Sequence, residues 1–429
     1  MLLRVRPSKL KGTVRIPSSK SHTIRAVACA SLAEGVSCIE NPLVSSDTDS
    51  AVKAFRALGA GIETREKTWR VQGTGGKLQV PGNVIDVGNS GTSLYIAVAC
   101  AALADGYTVF TGDEQIRSRP AQPLLDAIAG LGGMGFSTRG NGRPPLVVKG
   151  KMHGGRITLD GSKTSQYLTS LLISSPLMDQ DTEICVENLI EKPYIEMTLS
   201  WLDMPGIKYE NRGFKVFKVP GRQQYRSFTR AIPGDFSSAT FFMCAAAVTG
   251  SELYLEGLDM NDTQGDKAVT DILRAMGTEI REENGLLKVS GKATRGGEFD
   301  LSNTPDALPA LAVTACFAKG KTKLYNVAQA RLKETDRIAV MKENLTAMGA
   351  AVCEFPEGLT IEGCGLKGAE VRGFGDHRVV MAMALAGLAA EGETVVDTAE
   401  AVQVTFPDFV ELMRNAGAKM ESLIPDPSS

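Results

Sequence analysis

Hydrophobic and polar positions along the chain follow a long-period pattern. Six amphipathic stretches end in a small turn-forming tripeptide: Leu58-Gly59-Ala60, Leu131-Gly132-Gly133, Met204-Pro205-Gly206, Met276-Gly277-Thr278, Met348-Gly349-Ala350 and Ala416-Gly417-Ala418. Their middle residues step by 73, 73, 72, 72 and 68 positions. Each is followed by a short β-like segment, such as Ile62-Glu63-Thr64 or Lys208-Tyr209-Glu210. Glycine just past a helix supplies the left-handed conformation that closes it, so these tripeptides read as helix stops feeding strands. In the same register a polar turn opens an apolar helix rich in small residues. The six openings lie at Lys20, Asn89, Lys163, Asp235, Asp306 and Asp376. A β-branched strand follows each helix, as at Thr108-Val109-Phe110 and Glu252-Leu253-Tyr254-Leu255.

The chain is therefore expected to be α/β, built from six repeats of apolar helix, strand, polar loop, amphipathic helix and strand. Six equal repeats make two domains of three. The break is expected in the polar, Pro- and Gly-bearing stretch from Val219 to Phe228, giving 1–18 plus 228–429 as one domain and 19–227 as the other. The strand-like pieces around Leu3 and Val14 have no repeat of their own and are expected to complete the last one. The chain would then cross twice between domains, and a hinged interdomain cleft is a common ligand site.

Composition narrows the function. Lys plus Arg is 47 against 49 Asp plus Glu, a net charge of −2, which provides no general field for nucleic acid or an anionic membrane surface. The run Tyr95 to Ala104 is among the longest apolar ones and falls short of the ~18 residues a membrane span needs. The start, Met1-Leu2-Leu3-Arg4-Val5-Arg6-Pro7, does not read as a secretory leader. The eight cysteines have no C-x-x-C spacing and the three histidines are scattered, so buried thiols in a reducing cytoplasm are expected rather than a metal or disulfide framework.

Chemistry concentrates in the loops. Ser, Thr, Asn and Asp at the starts of the first helices suit helix capping and anion binding. Gly88-Asn89-Ser90-Gly91-Thr92 lets backbone approach a ligand closely. Arg117-Ser118-Arg119-Pro120 and Arg331 to Arg337 lie in the polar loops before second helices, and Asp376-His377-Arg378 opens a first helix. Arginine and lysine clamps with interspersed carboxylates fit an anionic substrate whose proton must be moved. No P-loop, dinucleotide fingerprint, nucleophile elbow or H-E-x-x-H motif is present, which disfavours hydride transfer and metallohydrolysis.

Pro17 to Arg25, Gly88 to Thr92, Arg119-Pro120, Ser165-Gln166, Lys192-Pro193-Tyr194, Pro305-Asp306, Lys333 to Arg337, Asp376-His377-Arg378 and Thr405 to Asp408 follow in the order of a known family. Together they resemble the enolpyruvyl transferase family in its 5-enolpyruvylshikimate-3-phosphate synthase branch, over nearly the whole chain. The resemblance implies two domains, each of three βαβαββ units around a pseudo-threefold axis. It implies transfer of the enolpyruvyl group of phosphoenolpyruvate to the 5-hydroxyl of shikimate 3-phosphate, in a cytoplasmic monomer without cofactor or metal, and without nucleic acid or membrane partners. By the same resemblance Lys20, Arg119, Arg337 and Arg378 hold phosphoenolpyruvate, with Gln166 and the Gly91 backbone beside it. Thr164, Ser165 and Gln166 hold shikimate 3-phosphate together with Ser21, Arg25, Tyr194 and Lys333. Asp306 takes the hydroxyl proton, and Lys20 and Glu334 serve the methylene carbon.

Some positions depart from the family pattern. Glu191 stands where Ser is usual, Val404 where Lys is common, Tyr95 for an Arg and Gln329 for an Asn. A carboxylate beside a phosphate dianion repels it by roughly 1–4 kcal/mol at ~4 Å. Glu191 is thus expected to pair with Lys163 or Lys192 and turn away; the alternative is a substrate lacking a phosphate there. Rival readings are the sister transferase acting on UDP-N-acetylglucosamine, whose mobile loop carries a reactive Cys that Thr111 to Pro123 lacks, and a non-catalytic binding paralogue.

Overall fold

The structure, a computed structural model, describes residues 1–423 apart from Glu66. The chain divides into two compact units, one comprising residues 18–233 and the other residues 1–17 with the chain from Gly234 onward. In the first unit, helices alternate between two kinds in chain order: α1 (Lys20–Leu32), α2 (Ser46–Ala57), α3 (Gly91–Ala101), α4 (Gln122–Gly130), α5 (Gln166–Ser174) and α6 (Lys192–Asp203). The second unit continues with α7 (Phe236–Thr249), α8 (Val269–Ala275), α9 (Leu308–Phe317), α10 (Arg337–Ala347), α11 (His377–Ala389) and α12 (Phe409–Asn415).

The odd-numbered helices form the cores. Every residue of α3 and of α7 is buried, as a helix apolar on all sides requires. In the second unit α7, α9 and α11 pack on one another, and in the first α3 packs against α1 and α5. Small side chains permit this closeness. Gly387 likewise lets α11 lie close on the strand Leu2–Arg6: a Cβ there would stand 2.9 Å from Val5 Cβ. The even-numbered helices close over the outside, and α2 shows why they start where they do: Ser45 accepts from Thr48 N–H while the Thr48 side chain caps back.

Each repeat folds a four-stranded sheet of one pattern. Around α3, α5, α9 and α11 the strand before the helix pairs in parallel with the strand after it, whereas the strands before α1 and α7 are exchanged, each pairing with the strand that follows the other helix. In every sheet but the last a hairpin then adds two antiparallel strands, as in Gly155–Asp160, Thr182–Glu187, Val216–Val219 and Glu210–Arg212. All six predicted helix stops are found. Gly59, Gly132, Gly206, Gly277, Gly349 and Gly417 take φ between 83° and 107°. In the third repeat it is Gly206, not Pro205, that turns the chain, and the strand begins at Glu210 rather than Lys208.

Two expectations need correction. Leu2–Arg6 does complete the last sheet, between Thr394–Val396 and Lys419–Leu423. Lys11–Arg15 instead pairs in parallel with Glu252–Glu256 and opens the first repeat of its unit. The stretch around residue 228 is not a break. Tyr225 is fully buried and donates to Ile173 O, Phe228 packs on Trp201, and Thr229–Ala231 pairs in parallel with Val36–Glu40. Alternating Tyr225, Phe228 and Ile232 supply buried contacts that the polar residues between them conceal in the sequence. The unit boundary therefore lies at Pro233, not at 227.

Candidate active site

In the first unit, the start of α1 presents Lys20, whose Nζ lies 3.0 Å from Asp47 Oδ2 at the start of α2. One turn on, Arg25 is buried and donates to the carbonyls of Ser21 and Tyr194 and to the hydroxyls of Thr169 and Thr198. All four of these acceptors are neutral. Burial lowers the Arg25 guanidinium to about 10, against weaker opposing fields from Tyr194, Cys29 and Glu191. A positive charge kept in such surroundings is suited to an anion delivered from outside.

Ser90 caps α3 by accepting from Ser93 N–H. The next residue, Gly91, leaves room for Arg119: a Cβ there would stand 2.6 Å from Arg119 Nη1. A guanidinium is thereby seated against the positive end of a helix, a place of like electrostatic sign that an anion would reconcile. The Arg119 loop is held from behind. Tyr95 Oη and Tyr167 Oη both donate to Pro120 O, at 2.7 and 2.6 Å, and the two rings meet edge to face at 5.0 Å. Tyr95 thus supports an arginine from the position where the family often has one.

Thr164, Ser165 and Gln166 begin α5. Thr164 Oγ1 accepts from Gln166 N–H, and among the described residues no donor reaches the buried Gln166 Oε1. Ser165 gives both its N–H (3.2 Å) and its hydroxyl (2.9 Å) to Glu191 Oε2. Contrary to expectation, Glu191 does not turn away to pair with Lys163 or Lys192. Lys163 is exposed, and Lys192 lies over the Phe214 ring. The left-handed backbone of Glu191 (φ 55°) aims its side chain inward instead.

In the second unit, five predicted residues join one half-buried cluster around the fully buried Arg337. Arg337 donates to Asp306 Oδ1 (2.8 Å), Glu334 Oε2 (2.6 Å) and both oxygens of Asp376 (2.8 and 3.1 Å). Arg378 Nη2 lies 3.1 Å from Asp306 Oδ2, and Lys333 Nζ is 3.9 Å from Oδ1. Burial works against ionisation of Asp306, but Arg378, Lys333 and Arg337 outweigh it and hold the carboxyl far below the usual range. Burial likewise opposes the Arg337 charge, and Asp376, Glu334 and Asp306 overcome it. Beside this cluster Asp266, itself buried, accepts hydrogen bonds from Ser237 and Thr304, two residues before Asp306. Burial and the Asp306 charge push the Asp266 carboxyl up.

The sequence reading missed Asp47, Asp266 and Tyr167, and gave Asp376 no role of its own. Asp47 had a signal. It lies in the polar run that opens a second helix, near the position in its repeat of Arg337, the first residue of α10. Of the departing positions, Val404 ends a short 3-10 turn and Gln329 donates to Ser302 O.

The sequence matches the family model described as EPSP synthase (3-phosphoshikimate 1-carboxyvinyltransferase) over residues 5–413. The chain belongs to the EPSP synthase family. Its relatives include a 3-phosphoshikimate 1-carboxyvinyltransferase of Acetivibrio thermocellus, 57% identical across 98% of this chain and all of that one. One from Ruminiclostridium cellulolyticum is 55% identical over the same shares, and one from Methanocaldococcus jannaschii is 43% identical over 98% of this chain and 99% of its own. The solved EPSP synthase of Acinetobacter baumannii superposes with a TM-score of 0.82 at 27% identity, covering 98% of this chain and all of its own. EPSP synthase membership settles the fold as two domains of repeated α/β units and the activity as enolpyruvyl transfer in the shikimate pathway.

Proposed function

We propose that the cluster around Asp306 is the acid–base centre for moving the enolpyruvyl group of phosphoenolpyruvate to the 5-hydroxyl of shikimate 3-phosphate. On this reading Lys20, Arg119, Arg337 and Arg378 hold phosphoenolpyruvate, beside Gln166 and the Gly91 backbone. Thr164 and Ser165 take the phosphate of shikimate 3-phosphate, and Ser21, Arg25, Gln166, Tyr194 and Lys333 contact the rest. The 5-hydroxyl oxygen attacks C2 of phosphoenolpyruvate as Asp306 accepts its proton. Lys20 and Glu334 protonate the methylene carbon, then take a proton back as the C–O bond to phosphate breaks.

The observation that carries this reading is the triple cation contact of Asp306. Arg378, Lys333 and Arg337 make its carboxylate a weak base. An anionic substrate that engages those cations removes part of their hold, so Asp306 gains basicity as substrate binds. Asp306, Glu334 and Asp376 take both Nη2 donors, the Nε donor and one Nη1 donor of Arg337, so substrate meets it through the remaining Nη1 N–H or by exchange with a carboxylate.

We also place the enzyme in the cytoplasm, as a monomer without nucleic-acid or membrane partners. Eight free thiols support a reducing compartment, and all the proposed ligands come from one chain. Among the described residues no helix is long and apolar enough to cross a membrane.

Steady-state kinetics test the division of labour. Arg119→Ala and Arg378→Ala should raise KM for phosphoenolpyruvate, and Ser165→Ala that for shikimate 3-phosphate. Equal rises in both constants for every variant would contradict it.

A further inference from the structure

Glu191 is an uncommon residue in an uncommon place. It precedes α6 with φ 55° and ψ 42°, a left-handed conformation that side chains other than glycine adopt at a cost. Its side chain is 2% exposed. A carboxylate taken out of water needs donors, and this one takes the N–H and hydroxyl of Ser165 at the start of α5. The start of a helix is where an external anion would be received. A buried anion belonging to the protein therefore already holds these donors.

We infer that Glu191 is a specificity-determining residue, a tethered competitor for the donors that receive the substrate phosphate. The inference rests on the assignment of Ser165 to that phosphate. A phosphate dianion reaching Ser165 must displace the Glu191 carboxylate and bear its repulsion, so binding is weaker than the donors alone would give. The penalty falls on the phosphorylated substrate only. Unphosphorylated shikimate leaves Glu191 seated. Glu191 thus narrows the preference between the two and keeps the Ser165 donors satisfied when no phosphate is bound.

Calorimetric and kinetic measurements on Glu191→Gln, Glu191→Ser and Ser165→Ala test this, with thermal melting to verify that each is folded. Glu191→Gln, nearly the same shape without the charge, carries the test if the serine variant does not fold. Both Glu191 variants should tighten shikimate 3-phosphate by about tenfold, leave shikimate unchanged, and act on KM rather than kcat. Ser165→Ala should weaken the phosphate ester alone. If Ser165→Ala weakens it while Glu191→Gln leaves it unchanged or weaker, Glu191 is a scaffold and the inference is overturned. If Ser165→Ala leaves phosphate-ester affinity unchanged, the assignment of Ser165 fails first, and the inference falls with it. Equal tightening of shikimate and its phosphate by Glu191→Gln also overturns it.

Discussion

Asp306 and Arg337 share an ion pair 2.8 Å long, between a guanidinium that is 1% exposed and a carboxylate that is 16% exposed. The pair joins a proposed base to a proposed substrate clamp, so each stabilises the charged form of the other. Asp306→Asn should lower kcat by about a hundredfold or more, the usual scale for a lost acid–base group, and change KM little. Glu334→Gln should do the same. The Asp306 carboxyl is depressed when folded, so it adds stability above its unfolded value near 4 and loses it as pH falls through the folded value. The melting temperature of the native protein should therefore exceed that of Asp306→Asn at pH 7, and the gap should shrink in acid. A gap that widens below pH 4 would contradict this sign.

Gly91 and Arg119 give a second test. Gly91→Ala places a methyl group 2.6 Å from Arg119 Nη1, and the guanidinium must shift because the Gly91 backbone cannot. Alanine suits a helix start well enough that folding survives. KM for phosphoenolpyruvate should rise about tenfold or more, with a smaller change for shikimate 3-phosphate. Unchanged KM for phosphoenolpyruvate would show that Arg119 does not need its seat.

The tyrosine pair behind Arg119 should act through position rather than contact. Tyr95→Phe or Tyr167→Phe leaves one hydroxyl on Pro120 O, whereas the double variant leaves that carbonyl with neither. Each single change should cost about 1 kcal/mol, and the double more than their sum as the carbonyl goes unsatisfied. KM for phosphoenolpyruvate should rise mainly in the double variant. Denaturant melts and kinetics on all three provide the measurement.

Much of this was legible in the sequence because the repeat is written twice, once in helix stops and once in helix openings. Gly59 and its five counterparts need positive φ whatever surrounds them, so local chemistry exposes them. Charged residues in corresponding loops, Arg119 and Lys333 to Arg337, marked the chemistry for the same reason. Long-range pairing was harder to read. Lys11–Arg15 and Thr229–Ala231 are short strands whose partners lie far along the chain, and nothing local says which sheet they join. For Glu191 the sequence suggests the cations Lys163 and Lys192 as partners, and it meets neither. Its left-handed backbone, invisible in composition, turns it to Ser165. Asp266 was missed because a single buried carboxylate has no periodicity to announce it.

Release of inorganic phosphate from phosphoenolpyruvate is the most direct measure of the central claim. The reaction should proceed when shikimate 3-phosphate and phosphoenolpyruvate are both present, and one enolpyruvyl product should form for each phosphate released. Phosphate release from phosphoenolpyruvate alone, or equally fast release with UDP-N-acetylglucosamine in place of shikimate 3-phosphate, would contradict it.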